Sequence, residues 1–217
     1  MKILLPPSEG KVSPKKLRNL NLNKIAFASD LRDIREQVLQ SHPEIDQKRC
    51  ESAIKVYSGV LFQALGFETL SKTAQSRAEK SLLIFSAAYG VIKPLDFIST
   101  YKFKPNAKIW RKTLEHTLGE IEQELIVDCR SSTYQAMWSP DLENTVAIRV
   151  FTMVGNKKKV ITHMSKKTRG EVARFLLLQK IAPKTPIELF KILKKGFTCS
   201  LVSASTKESW YIDVIAK

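Results

Sequence analysis

The segment from His163 to Leu178 carries the residues of this chain best suited to bind an anion. It places Lys166, Lys167 and Arg169 in what the pattern predicts to be the first turn of a helix. The positive end of the helix dipole disfavours each cation there by a few tenths of a kcal/mol to about 1 kcal/mol. Backbone N–H groups at a helix start bind phosphate well, so the segment predicts an anion-binding site. The alternative is that these long side chains simply extend into water.

Polar residues also follow three apolar runs that are predicted to be strands, Lys2–Leu5, Leu82–Phe85 and Leu125–Cys129. In open α/β sheets, ligands collect where loops leave the carboxyl ends of strands. We therefore expect the three following segments, 6–11, 86–96 and 128–133, to converge with the Lys166 helix on one cleft. The candidate lining residues of this cleft are Ser8, Gly10, Tyr89, Asp96, Ser131 and Ser132.

Two carboxylates at these strand ends, Glu9 and Asp128, are candidates for a general acid and a general base. No spacing forces them together, and either serves equally well as an ordinary salt-bridge partner. The turn from Ser8 to Lys11 resembles a phosphate-binding loop, but it lacks the first glycine and the hydroxyl residue after the lysine. The spacing of His and Cys residues fits no metal site, so the sequence predicts neither a metal nor a cofactor.

The basic residues favour contacts to phosphate over readout of bases, because no Arg or Asn array typical of a major-groove helix is present. On a helix, Lys167 and Arg174 share a face. Lys102 and Lys104 share a face only if that stretch is extended. The candidate DNA- or phosphate-binding residues are Lys11, Lys93, Lys102, Arg130, Lys166, Lys167, Arg169 and Arg174.

Composition also favours an anionic partner. The 217 residues include 36 Lys and Arg against 21 Asp and Glu, a formal net charge of +15. Nucleic acid is the first partner that this charge suggests, ahead of a membrane surface or a phosphorylated small molecule. The charge could instead only maintain solubility, or meet an acidic protein.

Several observations predict a cytoplasmic protein. No run approaches the ~20 apolar residues that span a bilayer, and the apolar start ends at Pro6, too early for a signal-peptide core. Three widely spaced cysteines are typical of reduced thiols.

The elements that must position these residues alternate between helix and strand over the first two thirds of the chain, and the last third is predicted to be antiparallel. We therefore expect a single α/β domain, residues 1–217, with a mixed, partly antiparallel sheet flanked by helices, and a possible small helical subdomain over 24–80. One helix is expected over 44–65, ended by Gly66, and Thr185 to Glu188 forms a capping box with Pro186 at the first helical position. A hairpin is expected from strands 145–154 and 160–163 around the turn 155–159.

Four segments together resemble one known family: Leu4–Lys11, Tyr57–Gly59, Ala88–Asp96 with Tyr101-Lys102, and Lys166–Gly170 with Arg174-Phe175. In this order they are similar to the bacterial YaaA family of peroxide-stress proteins. The resemblance implies a YaaA-like α/β fold containing a helix-hairpin-helix-like element. It also implies a cytoplasmic protein that limits damage from unincorporated iron and binds DNA through a positively charged cleft. It further implies a DNA-contacting role for the basic residues of the Lys166 segment.

The leading hypothesis is a stress protein that binds duplex or branched DNA without sequence preference. The rival is an enzyme that acts on a nucleotide or another phosphorylated small molecule. In that reading Glu9 or Asp128 is the acid or base, and Lys11, Arg130 and Lys167 hold the anion.

Overall fold

The fold is an α/β domain built around one mixed sheet, and the computed structural model describes residues 1–155 and 157–216. The strands are Lys2–Leu5 (β1), Glu51–Ser52 (β2), Leu82–Ser86 (β3), Gly90–Ile92 (β4), Phe97–Ile98 (β5), Ile126–Asp128 (β6), Thr145–Val154 (β7), Lys157–Lys159 (β8), Cys199–Val202 (β9) and Trp210–Ile215 (β10). The α-helices are Ala28–Gln40 (α1), Ala53–Val56 (α2), Val60–Leu65 (α3), Lys72–Ser81 (α4), Ala107–Leu118 (α5), Ser132–Gln135 (α6), Thr162–Leu178 (α7) and Pro186–Leu193 (α8).

The main sheet has eight strands, seven of them in the order β4-β3-β1-β6-β7-β10-β9, with β8 paired to β7. β1 lies between β3 and β6 and is parallel to both, and β7 continues the parallel arrangement to β10. β4, β8 and β9 are antiparallel to their neighbours. The carboxyl ends of β1, β3, β6, β7 and β10 therefore lie at the same edge, which we call the carboxyl edge. The predicted mixed sheet is confirmed.

The central strands are apolar throughout because helices cover both faces of the sheet. Ile3 and Leu5 belong to one buried cluster, with residues of α3 and α7, whereas Leu4 belongs to a second cluster with Trp110 and Leu114 of α5. This alternation follows from the period of two along a strand. It gives three layers, with α1 and α5 on one face and α3, α4, α7 and α8 on the other. Among the described residues, no helix is long and apolar enough to cross a membrane.

The single helix expected over 44–65 is wrong. β2 pairs with β5, and the N–H groups of Ala53 and Ile54 donate to the carbonyls of Asp96 and Pro94. The chain then forms two short helices, α2 and α3, separated by residues 57–59. The end predicted at Gly66 is confirmed, because Gly66 adopts the left-handed conformation with φ 54°.

The last third is less antiparallel than expected, since β10 is parallel to β7. The hairpin exists, but its second strand is β8, where Val154 pairs with Lys157. Residues 160–163 do not form the expected strand, because α7 already begins at Thr162. The expected turn 155–159 includes Asn156, which lies outside the described residues.

The capping box before α8 is confirmed. The hydroxyl of Thr185 accepts from the Glu188 N–H at 3.2 Å, and the Glu188 carboxylate accepts from the Lys184 N–H at 2.8 Å. The helical subdomain over 24–80 stays a prediction. Its helices pack on both faces of the sheet, α1 against α5 and α3 against α7.

Candidate functional site

The turn after β1 is held at the carboxyl edge by the segment between α2 and α3. The buried Ser8 hydroxyl accepts from the Gly59 N–H at 2.7 Å, and the Ser58 N–H donates to the Gly10 carbonyl at 3.2 Å. Lys11 forms an isolated antiparallel bridge with Tyr57. A Cβ at position 59 would overlap the Ser8 hydroxyl, so glycine lets the two segments approach this closely.

Lys11 is placed by this turn over an aromatic surface. Its Nζ donates to the Ser8 carbonyl at 2.7 Å and lies 4.3 Å from the centre of the Tyr101 ring and 5.8 Å from that of Tyr57. Burial lowers the pKa of Lys11 to about 8, and the nearby charge of Glu9 opposes the shift only in part. The amine is therefore much less basic than that of an ordinary lysine.

Three hydroxyl groups form a hydrogen-bonded chain beneath Lys11. The Ser86 hydroxyl, at the end of β3, donates to the Tyr101 hydroxyl at 2.9 Å, and the Tyr57 hydroxyl lies 3.0 Å from that of Tyr101. Burial raises the pKa of both tyrosines, so they stay neutral near pH 7 and act as hydrogen-bonding groups. Sequence reasoning did not connect these three hydroxyl groups, because no spacing relates positions 57, 86 and 101.

Helix α7 brings two further cations to the carboxyl edge. Lys166 Nζ lies 3.7 Å from Glu9 Oε2, and Arg169, one turn further along the same face, lies close enough to Cys129 to oppose the burial that raises the pKa of that thiol to about 12. The Arg169 Nε–H is buried and has no acceptor within the described part of the chain. Glu9 thus links the turn after β1 to Lys166, and Arg169 lies one helical turn beyond Lys166; we call Ser8, Glu9, Lys11, Lys166 and Arg169 the β1–α7 cluster.

The reason first given for an anion at this helix is wrong. α7 begins at Thr162, so Lys166 and Arg169 lie in its second and third turns and not in its first. The Ser165 N–H and hydroxyl both donate to the Ile161 carbonyl, which shows that the helical turn starts upstream of the lysines. The helix dipole therefore does not act against these cations as predicted, and the case for an anion rests on the cluster itself.

The structure separates the two predicted acid and base candidates. Glu9 is 93% exposed, whereas Asp128 is buried and accepts from Arg130 through both oxygens, at 3.0 and 2.8 Å. Arg130 is 1% exposed and its guanidinium lies 4.3 Å from the centre of the Phe85 ring, on the α5 face of the sheet. Arg130 is thus part of a buried ion pair and has no exposed surface for an anion.

The expected convergence on one cleft is wrong for Lys93, Asp96 and Tyr89. Because β4 is antiparallel to β3, Lys93 and Asp96 lie at the opposite edge of the sheet, beside a hollow of about 290 Å³ that Lys80 also lines. The Asp96 carboxylate accepts from the N–H groups of Lys93 and Ala26 at 2.8 and 3.1 Å. Tyr89 is fully buried, and its hydroxyl bonds to the backbone of Ser99.

The remaining basic candidates divide between structural and exposed positions. Arg174 donates to the carbonyls of Leu65 and Gly66 at 2.9 and 2.8 Å, so it caps the carboxyl end of α3. Lys167 pairs with Glu171 on the exposed surface of α7 at 3.5 Å. Lys102 is exposed directly after the buried Tyr101.

The two serines after β6 are accessible from solvent. Ser131 is half-buried and Ser132, the first residue of α6, is exposed. Across residues 1–155 and 157–216, no three His, Cys, Asp or Glu side chains come together in a way that could hold a metal ion.

Comparison with known proteins shows which family the chain matches. The family model described as peroxide stress protein YaaA matches residues 15–200. A UPF0246 protein of Streptomyces coelicolor is 29% identical, with 99% of this chain and 98% of that protein covered. A UPF0246 protein of Corynebacterium efficiens is 32% identical, with 96% and 98% covered.

Proposed function

Because the chain belongs to the peroxide stress protein YaaA family, we propose that it protects against hydrogen peroxide by binding DNA through a basic surface at the carboxyl edge. Binding is largely independent of sequence. The observation that carries this proposal is the grouping of positive charge at one edge of a protein with a net charge of +15. The cations concerned are Lys11, Lys102, Lys166, Arg169 and the three lysines of β8.

The layout of this edge suits a phosphate backbone. β7 and β8 extend beyond the ends of β1 and β6, and α7 follows directly, so Lys157–Lys159 and the Lys166–Arg169 face lie on successive elements. Lysine and arginine contacts to phosphate position a protein on DNA without reading the bases. Arg130 and Arg174, which the fold uses internally, are not part of this surface.

We further propose that the protein limits damage linked to unincorporated iron. This part follows from the family resemblance and requires no iron site on the chain, since a protein that covers DNA keeps reactive iron from its phosphates. The proposal predicts fewer strand breaks in iron- and peroxide-treated plasmid when the protein is bound. Equal breakage with a variant that does not bind DNA would refute the link to DNA.

The double variant Lys102→Gln/Lys166→Gln is expected to bind duplex DNA about tenfold more weakly at moderate salt, with a salt slope smaller by about two. Each lysine that neutralises a phosphate releases counterions, so its loss weakens binding and flattens the salt dependence together. Fluorescence anisotropy with labelled duplex and branched DNA at several salt concentrations measures both quantities.

The matched control is Lys80→Gln/Lys93→Gln, which removes two exposed charges at the opposite edge of the sheet. The control should change the binding free energy by less than half as much as Lys102→Gln/Lys166→Gln does. Equal losses for the two double variants would mean that net charge alone drives binding and would remove the carboxyl edge from the proposal. No binding by the wild type at low salt would end the DNA hypothesis.

A second candidate function is an enzyme that acts on a nucleotide or another phosphorylated small molecule. One specific observation favours it: the β1–α7 cluster combines a weakly basic amine at Lys11 with the Arg169 Nε–H, which is buried and has no acceptor among the described residues. Phosphate backbone binding alone does not require such an amine. Thermal-shift measurements with nucleotides and sugar phosphates separate the two functions, because a small ligand that binds the native state raises Tm selectively.

A further inference from the structure

Lys11 occupies an unusual position for a lysine. Among the described residues, no carboxylate lies within 4 Å of its ammonium, although Glu9 is two residues away and pairs instead with Lys166. The Nζ atom is held by the Ser8 carbonyl and by the faces of Tyr57 and Tyr101. The ring faces and the carbonyl hold the amine in place and favour its charged form less strongly than a carboxylate would, so burial remains the effect that lowers its pKa.

The chemical consequence is a nucleophile that is available near neutral pH. With its pKa lowered to about 8 by burial, roughly one Lys11 amine in ten is uncharged at pH 7. For an ordinary exposed lysine the fraction is below about one in a thousand. A neutral, desolvated lysine amine is the group that proteins use to attack carbonyl carbons.

The cations that α7 presents beyond Glu9 indicate which carbonyl compounds fit. Lys166 is linked to the Lys11 turn through Glu9, and Arg169 on the same face of α7 has an unsatisfied buried N–H. Guanidinium and ammonium groups side by side favour phosphate. The site therefore combines an amine for an aldehyde with cations for a phosphate on the same molecule.

We propose that Lys11 is the covalent nucleophile of a site that captures the aldehyde of a phosphorylated sugar, either at an abasic position in DNA or as a free sugar phosphate. The first source rests on the proposed DNA function, and the second does not. The Nζ lone pair adds to the aldehyde carbon as the C=O π bond breaks, which gives a carbinolamine. The carbonyl oxygen then leaves with the two amine hydrogens as one water, and a C=N bond remains.

The test is reductive trapping. Wild-type protein is incubated with cyanoborohydride and either a duplex that carries one abasic position or glyceraldehyde 3-phosphate, and the modified residue is mapped by peptide mass spectrometry. We expect Lys11 to be labelled at least tenfold faster than the exposed Lys102. Labelling of Lys11 should increase with pH up to about 9 and then level off, because the amine is largely neutral one unit above its pKa of about 8. Exposed lysines should continue to gain reactivity toward pH 10.

Mapping on the wild type makes the result independent of any folding defect in a variant. Lys11→Arg keeps the charge and removes the nucleophile, so its adduct should be lost while DNA affinity is measured in parallel. Labelling by glyceraldehyde 3-phosphate without DNA binding would support Lys11 and refute the DNA function. DNA binding with no preference for Lys11 over Lys102 in either arm would overturn the Lys11 proposal and leave the DNA function standing.

Discussion

Replacement of Asp128 by asparagine is expected to destabilise the protein by about 3 to 5 kcal/mol. The change keeps the shape of the side chain but leaves the Arg130 charge without its partner at a site that is 1% exposed. The carboxylate also accepts from the backbone N–H of Arg130 at 2.9 Å, so three donors of Arg130 lose a charged acceptor at once. Chemical denaturation followed by circular dichroism measures the loss as a shift of the unfolding midpoint.

The double variant Asp128→Asn/Arg130→Met separates this structural role from the acid or base role that the sequence allowed. Methionine fits beside Phe85 and Trp138 without a charge, so the double variant should recover part of the stability that Asp128→Asn loses. An Asp128→Asn protein as stable as the wild type would show that the ion pair contributes nothing, and would return Asp128 to the list of catalytic candidates.

The sheet could be predicted largely from sequence because its central strands are short, apolar and bounded by Pro, Ser or charged residues. Lys2–Leu5 and Leu82–Phe85 have no polar alternation, which indicates burial on both faces, and both are strands of the parallel core. The break at residues 57–59 was missed because Tyr57, Leu61 and Leu65 keep a helical spacing across it. Only Gly59, beside Ser58, signalled that the helix stops.

The location of the candidate site could be predicted from the sequence, but the residues that form it could not. Residues after β1 and on α7 do lie together, as the carboxyl ends of parallel strands require. Lys93 was expected at the carboxyl edge because nothing in the surrounding sequence shows that β4 turns back along β3. Arg130 and Arg174 bear ordinary sequence signals of phosphate-binding residues, yet each is used internally by the fold. Charge type alone does not distinguish a ligand contact from a buried partner.

The basic segment of α7 shows the same mixture within five residues. Lys166 and Arg169 face the carboxyl edge, Lys167 pairs with Glu171 on the surface, and Thr168 and Gly170 are buried. The sequence suggested a uniform anion-binding run. The structure shows that Gly170 packs against α3. The two helices approach so closely there that a side chain at position 170 would overlap α3.

Gly170→Ala is expected to lower the free energy of unfolding by about 2 to 3 kcal/mol, although alanine is the better helix former by up to about 1 kcal/mol. A Cβ at this position would overlap the Leu61 carbonyl oxygen and lie 2.9 Å from the Ala64 Cβ. Backbone atoms of α3 cannot move aside as a flexible side chain can, so the two helices must separate. Chemical denaturation of the purified variant measures the loss.

Gly119→Ala is the matched control, because Gly119 has helical dihedrals at the end of α5 and nothing within 4 Å of the added Cβ. It should leave stability unchanged or raise it by up to about 1 kcal/mol. The same Gly→Ala change thus tests helix preference alone at position 119 and helix preference against tertiary packing at position 170. If Gly170→Ala were as stable as Gly119→Ala, close approach of α3 and α7 would not be what requires glycine, and the conformation of the Lys166 segment would have to rest on other contacts.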